Sequence, residues 1–272
     1  MYQLCNILGG NYYYQQKTIC ITRFNSMNIR KVLLLEDYSS FHLNLRDGLR
    51  ELGVDAKVAS SGDIYKNFAR DIDLSFKASG NRIVNYSRMA KTYLSSWKHF
   101  SGNDVVQMIT PRILYGKWSD NFFFGHIQKN NGKVFYAACA ADVTYFEAYR
   151  KGVTAKYGYS VQENMLRDFK VSDSTGKILW EQDDFIEREK LYLNKFDGII
   201  PVLYDYLIAY RHMGQKNVRR MIPLPLNCNS LSYSENIVTG KIKIIHGVSE
   251  TGNILRDLYN FRRINKMKKN IR

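Results

Sequence analysis

Residues 31–60 read KVLLLEDYSSFHLNLRDGLRELGVDAKVAS, and this stretch decides the fold class. It opens with KVLLLE, an almost continuous apolar run of the kind found in parallel strands that are covered on both faces. Apolar residues then recur at helical spacing, at Phe41, Leu45, Leu49 and Leu52. Gly53 supplies a helix stop, and VDAKVAS follows as a second strand. The pattern predicts a β-α-β unit with a right-handed crossover.

The rest of the chain continues the alternation of strands and helices. Helices are predicted from Tyr86 to about Lys98, over 180–196, and after Pro201. Apolar runs predict further strands in NDVVQMITP (103–111), KVFYAACA (133–140), FDGIIP (196–201), VRRMIPLPLN (218–227) and KIKIIHG (241–247). This spacing predicts an α/β protein with a doubly wound parallel sheet. Ligands of such sheets bind outside the carboxyl ends of the strands, so the loops there are the candidate sites.

Composition narrows the classes of protein. The chain has 272 residues, 45% of them hydrophobic, and its four cysteines are scattered without a CxxC pair. We therefore expect a cytoplasmic protein with reduced thiols and no bound metal. No run approaches the roughly 18 apolar residues of a membrane span, and the N-terminus is a poor signal peptide. The chain lacks GxGxxG, a P-loop, GxSxG and HExxH, so no cofactor is expected and no catalytic triad assembles.

The net charge of +15 is unevenly placed. Residues 251–272 carry +6, residues 1–26 carry +2, and residues 27–250 carry the remaining +7. A basic end can bind nucleic acid or an anionic membrane surface, although a solvated, irregular end is the favoured interpretation. Specific nucleic-acid binding is disfavoured, because the sequence has no recognised nucleic-acid-binding motif and no regular alternation of basic and aromatic residues.

Two loops at predicted strand ends hold the candidate site residues. In EDYSSFH (36–42), serine hydroxyls and free backbone N–H groups could hold an anion or a sugar; alternatively Ser40 only caps the helix. In AACAADVTYF (137–146), the Asp142 carboxylate could accept a bond from a sugar hydroxyl or act as a base. The favoured alternative is that Asp142 is a helix cap. Tyr204 and Tyr206, in a third loop, are expected to be packing residues.

The order and spacing of these stretches over roughly residues 27–248 resemble glycosyltransferases of the GT-B fold, in particular the group 1 and family 4-like enzymes that build bacterial surface polysaccharides. That family has two Rossmann-like halves, an N-terminal acceptor side and a C-terminal donor side. The resemblance implies an acceptor cleft lined by Tyr38, Ser39, Ser40, His42, Asp142, Thr144 and Tyr145. It also implies that the strand ending in His246 and Gly247 opens the donor half at the interdomain cleft. Catalytic residues are not identified.

The resemblance divides the chain into four parts. Residues 1–26 are a leader or upstream extension, or add an edge strand; residues 27–237 are the acceptor-side domain. Residues 238–250 are the first strand of the donor side, and residues 251–272 are a basic, irregular tail. We expect a second domain to be essentially absent, as a frameshift or premature stop would leave it. A diphosphate donor could then not be held in line, so we expect little or no transferase activity from this polypeptide alone.

Two functions remain open on these grounds. The first is a glycosyltransferase-like protein that takes a glycan or lipid-linked saccharide as acceptor and a nucleotide-sugar as donor. In that case His42 would contact a sugar, and Asp142 would orient the acceptor hydroxyl. The second is a non-catalytic glycan-binding or relict module with the same fold. Either protein would work in the cytoplasm, and the basic charge allows peripheral contact with the inner face of an anionic membrane.

Overall fold

The computed structural model describes residues 29–63, 67–110, 114, 117–139, 142–153 and 183–227. The chain divides into two compact units, Met1–Ser232 and Tyr233–Arg272, and every described residue belongs to the first. The predicted strand KIKIIHG, and with it His246 and Gly247, lies outside the described residues. So do the N-terminal extension and the basic tail.

A single sheet of six parallel strands forms the centre of the described part of the chain. Its spatial order is β3-β2-β1-β4-β5-β6. The strands are β1 (Lys31–Leu35), β2 (Asp55–Ser60), β3 (Ile72–Asp73), β4 (Val105–Met108), β5 (Lys133–Ala138) and β6 (Gly198–Pro201). This is the strand order of the doubly wound Rossmann fold, so the predicted α/β class and parallel sheet are confirmed.

Six α-helices connect or follow these strands in the described ranges. They are α1 (Phe41–Glu51), α2 (Arg82–Ser95), α3 (Lys117–Asn130), α4 (Val143–Arg150), α5 (Asp183–Lys195) and α6 (Tyr204–His212). A 3-10 helix, Trp97–Phe100, follows α2. The helix predicted from Tyr86 therefore begins one turn earlier, at Arg82, where the Asn81 side chain caps it by accepting from the N–H of Ile83. Strand β3 and helix α3 were not predicted.

The sheet buries side chains on both faces, as the apolar run in β1 predicts. Leu33 and Leu35 belong to a large core that α2, α3, α5 and α6 help to build. Val32 and Leu34 point the other way, into a smaller core covered by Leu45 and Leu49 of α1. Because residues alternate between faces along a strand, one five-residue segment anchors both layers.

The strand predicted over 218–227 is wrong. Only Val218 pairs with the sheet, through a single parallel bridge to Ile199. Pro223 and Pro225 interrupt the segment, and proline cannot donate to a ladder of backbone hydrogen bonds. The segment still packs along the molecule, since the N–H of Ile222 donates to the carbonyl of Pro201 (3.0 Å).

Doubly wound sheets bind ligands in a crevice outside the carboxyl ends of their strands, and here that rule points to the carboxyl ends of β1 and β4. From β1 the chain builds outward to β2 and β3, and from β4 it builds in the opposite direction to β5 and β6. The loops after β1 and β4 therefore diverge, and this divergence is where doubly wound sheets bind ligands. Among the described residues, no helix has the length and apolar character that crossing a bilayer requires.

Candidate functional site

The turn between β1 and α1 has an unusual backbone. Glu36, Ser39 and Ser40 all have positive φ angles, of 60°, 53° and 63°. Each such residue costs on the order of 1 kcal/mol, so surrounding contacts must hold the turn in place. The N–H of Glu36 donates to the carbonyl of Ala59 (2.8 Å), and the N–H of Ser39 donates to Asp63 Oδ2 (3.0 Å). The turn at the crevice is thus tied to the end of β2 and its following loop.

The Glu36 carboxylate strengthens the same tie. Its Oε2 accepts from the N–H (3.0 Å) and the hydroxyl (2.9 Å) of Ser61, and more weakly from the hydroxyl of Ser60 (3.4 Å). Burial is the main influence on this group and raises the pKa of Glu36, while the serine hydrogen bonds oppose that rise. Glu36 therefore joins two strand ends and is not open to a ligand.

Asp37, and not Ser39 or Ser40, caps α1. Its Oδ1 accepts from the N–H of His42 (2.9 Å). The backbone N–H groups of Leu43 and Phe41 also lower the pKa of this carboxylate. The Ser40 side chain makes no capping hydrogen bond, because a residue in the left-handed region does not aim its hydroxyl at the first helical N–H groups. Ser40 stands at the N-cap position, but the alternative that its side chain caps the helix is wrong.

The second oxygen of Asp37 is the most informative atom of the turn. The residue is 1% exposed, and Oδ2 has no hydrogen-bond partner within the described ranges. Burial raises the pKa of Asp37, and the nearby Asp63 adds to that rise. A buried acceptor without a donor is costly, so its persistence beside a ligand crevice indicates a candidate binding group. Sequence reasoning missed it, because Asp37 stands four residues before the helix start at Phe41 and not at the ordinary N-cap position.

His42 lies wholly inside the protein, with an exposure of 0%. Its Nδ1 donates to the carbonyl of Glu36, and its Nε2 faces the Gln107 amide of β4 at 3.3 Å. These partners assign a neutral ring with the proton on Nδ1 and the Gln107 NH₂ as donor to Nε2. Burial lowers the pKa of His42 to about 4. The ring joins β1, α1 and β4, and in this conformation it has no surface that could touch a sugar.

Asp142 is the cap of α4, as the favoured alternative had it. Its Oδ1 accepts from the N–H of Tyr145 (2.9 Å), and its Oδ2 accepts from the hydroxyls of Tyr136 (3.0 Å) and Tyr210. Burial raises the pKa of Asp142, and these hydrogen bonds oppose the rise. Because its oxygens already serve three donors, the carboxylate is not placed to orient an acceptor hydroxyl.

The neighbours of Asp142 are also internal. Thr144 and Tyr145 are buried, and the Tyr145 hydroxyl donates to Asp205 Oδ2 (3.2 Å). The Tyr145 ring lies against that of Tyr206, with centroids 4.8 Å apart. Tyr206 is a packing residue, as expected, whereas Tyr204 is 55% exposed. These side chains hold α4 against α6.

The structure brings the two candidate loops near each other at Cys139. The pKa of its thiol is raised to about 12, mainly by burial and further by the charges of Asp37 and Asp142. Both carboxylates therefore lie within electrostatic reach of one sulfur atom. Of the predicted cleft residues, Ser39 is exposed, Ser40 is half-buried, and Tyr38 is half-buried and packs against the core. No group of three or more potential metal ligands exists among the described residues.

Comparison with known proteins gives no relative: no protein-family model, no curated protein and no solved structure matches this chain. The resemblance to GT-B glycosyltransferases therefore stays a prediction from the order of sequence stretches.

Proposed function

We propose that this chain is a glycosyltransferase-like protein whose described sheet is the Rossmann-like, acceptor-binding half of a GT-B sugar transferase. The observation that carries the proposal is Asp37 Oδ2, a buried acceptor without a partner in the described ranges, beside the topological switch of the sheet. A hydroxyl-rich ligand supplies the donor that this oxygen lacks. By family resemblance the ligand is a glycan or a lipid-linked saccharide, with a nucleotide-sugar as donor on another domain.

The charge at this helix start favours a sugar over a phosphate. An N-terminal helix turn with free N–H groups attracts anions. Here the Asp37 carboxylate already occupies that position on α1, so a diphosphate would meet a negative charge. A sugar hydroxyl can donate to the same carboxylate, which agrees with an acceptor side and not a donor side.

Ligand entry requires the turn to open, because Asp37 Oδ2 is buried in the present conformation. The two serines next to it are held in the left-handed region, and Ser39 is exposed. A ligand that bonds the Ser39 and Ser40 hydroxyls could therefore stabilise an open turn and reach Asp37. His42 and Asp142 act in this proposal as internal supports of the two loops.

The alternative is a non-catalytic glycan-binding module. It is favoured by one observation: both titratable residues that sequence reasoning offered for chemistry, His42 and Asp142, are buried and bonded to other protein groups. A general base must reach the proton that it removes, and neither side chain does so here. The two proposals share the binding site and differ only in turnover. In both proposals the protein acts in the cytoplasm and contacts the inner face of an anionic membrane.

Saccharide binding by the full chain tests the proposal. The probes are methyl glycosides of glucose, galactose, mannose and N-acetylglucosamine. Their binding is measured by saturation-transfer NMR. Asp37→Asn keeps an oxygen for the helix cap but replaces the free acceptor by an NH₂ group, so we expect at least a tenfold loss of affinity. Glu187→Gln, at an exposed site on α5, is the matched control and should bind as the wild type does.

Two outcomes contradict or divide the proposals. Equal binding by wild type and Asp37→Asn, or no binding of any glycoside, contradicts the assigned site. Binding that is retained without release of UDP or GDP from nucleotide-sugars, under the same conditions, agrees with an acceptor half that is inactive alone and with the non-catalytic module. Release well above background selects the transferase.

A further inference from the structure

Three aromatic rings form a continuous stack on the outer side of α3. Trp118 lies parallel to Phe122 (centroids 5.7 Å apart, interplanar angle 7°), and Phe122 lies against Trp97 of the 3-10 helix (5.8 Å, 20°). The stack is not core packing, because Trp118 is 79% exposed and Phe122 is 55% exposed. The adjacent Phe123 and Phe124 are buried, so α3 has an apolar face on each side.

Helix α2 carries a second exposed apolar stripe that leads to this stack. Ile83, Tyr86 and Leu94 are 78%, 54% and 67% exposed, and their spacing puts them on one side of the helix. Met89 and Tyr93 stand three and seven residues after Tyr86, on the neighbouring side of the helix, and are buried. Leu94 stands three residues before Trp97, so the stripe runs into the stack. We call Ile83, Tyr86, Leu94, Trp97, Trp118 and Phe122 the apolar surface.

The sequence around the apolar surface is strongly basic. Residues 74–141 contain nine Lys or Arg residues and only two acids, Asp104 and Asp120, which is a net charge of +7. Asp104 stands at the amino end of β4, where its side chain accepts from the N–H groups of Arg30 and Lys31. Asp120 is buried and accepts from the N–H of Leu114. Lys91, Lys98 and Lys129 are exposed on the elements that bear the apolar surface.

Exposed Trp, Phe, Tyr and Leu side chains among lysines are the combination that binds an anionic lipid surface. Aromatic rings favour the interfacial layer of a bilayer, and lysines are attracted by acidic headgroups. A contiguous apolar surface of this kind is costly in water and marks an interaction site. A protein partner with an apolar patch would not need the surrounding positive charge, whereas an anionic bilayer uses both features.

We propose that the apolar surface, with Lys91, Lys98 and Lys129, docks this protein on an anionic lipid bilayer. Trp118 and Phe122 enter the headgroup layer, and the lysines contact acidic headgroups. The surface lies on α2, the 3-10 helix and α3, and its role does not depend on the saccharide site after β1. It is also separate in sequence from the basic residues 251–272.

Vesicle sedimentation with the full chain tests the proposal. The probes are vesicles of phosphatidylcholine alone and vesicles that contain about 30% phosphatidylglycerol. We expect binding to the anionic vesicles, with at least a tenfold lower partition coefficient for Trp118→Ser/Phe122→Ser and for Lys91→Glu/Lys98→Glu. Leu224→Ser and Lys216→Glu are exposed controls on other segments and should bind as the wild type does.

Tryptophan fluorescence adds a readout that is independent of sedimentation. We expect a blue shift when anionic vesicles are added and quenching by brominated lipid tails. Trp118→Phe, which keeps an apolar ring, should retain binding but lose most of the quenching. Folding of each variant is checked by circular dichroism, so that loss of binding is not loss of structure.

Three results would overturn the proposal. Unchanged vesicle binding by both double variants assigns lipid contact to other basic segments such as residues 251–272. Absence of binding to anionic vesicles by the wild type excludes the bilayer as partner. A loss of affinity for a 20-nucleotide oligo(dT) in Trp118→Ser/Phe122→Ser, without loss of vesicle binding, assigns the stack to single-stranded nucleic acid.

Discussion

The backbone N–H of His42 donates to Asp37 Oδ1 at 2.9 Å, and this bond fixes the start of α1 at the end of β1. The same histidine returns a bond through its ring, from Nδ1 to the carbonyl of Glu36. His42 thereby holds Glu36 and Asp37, the first two residues of a loop with three positive φ angles. The Asp37 Oδ2 atom, beside these bonds, has no hydrogen-bond partner within the described ranges.

We predict that burial of neutral His42 makes the protein sensitive to acid. Its pKa is about 4 in the folded protein against 6.5 for an ordinary histidine, so the unfolded chain binds the extra proton between these values. The contribution of neutral His42 to the free energy of unfolding is fully present above pH 6.5. About 3 kcal/mol of it is lost as the pH falls from 6.5 through 4. The measurement is urea unfolding followed by circular dichroism between pH 4 and pH 7.5.

His42→Gln removes this titration and keeps an amide that can bond Glu36 and Gln107. The variant should be less stable than the wild type at pH 7 but should lose less stability between pH 6.5 and pH 4. His212→Gln, at an exposed position on α6, is the control and should follow the wild type. An acid dependence that is identical in wild type and His42→Gln would show that His42 does not titrate in this range.

For Asp37 we predict a pH dependence of the opposite sign. Its pKa is raised by burial, so the folded protein holds this proton more tightly than the unfolded chain does. Stability contributed by the protonated form is present below the ordinary pKa of aspartate and is lost as the pH rises through the raised value. Asp37→Asn lacks that loss, so its stability relative to the wild type should increase from pH 3.5 to pH 7.

The helix cap separates this effect from simple loss of structure. Asn caps helices about as well as Asp, whereas Asp37→Ala removes the cap and should cost about 1 kcal/mol more than Asp37→Asn at every pH. Both variants are compared by urea unfolding at pH 3.5 and pH 7. A relative stability of Asp37→Asn that stays constant with pH would mean that the Asp37 pKa is not raised in the folded protein.

Local patterns were sufficient to predict β1, β2 and the helix between them. The run KVLLL and the helical spacing of Phe41, Leu45 and Leu49 each match the element that forms. Strand β3 was missed because it is only two residues long and pairs at the sheet edge beside β2. Helix α3 was missed because Trp118 and Phe122 are apolar but exposed, which blurs the helical period that its buried residues would show.

The site was harder to predict than the fold because its roles depend on distant partners. Sequence reasoning selected His42 and Asp142 by residue type and position, but it could not show that Gln107 and Tyr210, 65 and 68 residues away, contact them. Ser40 has the residue type of a cap, yet its backbone angle excludes that role. Asp37 was overlooked for the same reason. Its role as the helix cap follows from the left-handed backbone of Ser40, which the sequence does not reveal.

The buried contact between Asp142 and Tyr210 should be strongly coupled. Asp142→Ala removes an acceptor of three hydrogen bonds and leaves the Tyr136 and Tyr210 hydroxyls without it, so we expect a loss of about 3 kcal/mol or more. Tyr210→Phe removes one donor and should cost about 1 kcal/mol in the wild type. In the Asp142→Ala background, Tyr210→Phe should cost nothing or restore stability, because it removes a hydroxyl that has already lost this acceptor.

A double-mutant cycle by urea unfolding measures this coupling. Leu191→Ala, at an exposed residue of α5, is combined with Asp142→Ala as the control pair and should give additive losses. Additive losses for Asp142 and Tyr210 as well would contradict the direct contact.

Alanine at Gly132 and alanine at Gly125 should change the free energy of unfolding in opposite directions. A Cβ on Gly132, in the turn before β5, would collide with the backbone oxygen of Asp104, which cannot move without disturbing the start of β4. Gly132→Ala should therefore cost about 1–3 kcal/mol.

Gly125 lies inside α3 with no heavy atom within 4 Å of the position that its Cβ would take. Gly125→Ala should stabilise the protein by about 0.5–1 kcal/mol, because alanine loses less backbone freedom in a helix. Thermal and urea unfolding of both variants measure the difference, and a stabilising Gly132→Ala would contradict the close approach of these two turns.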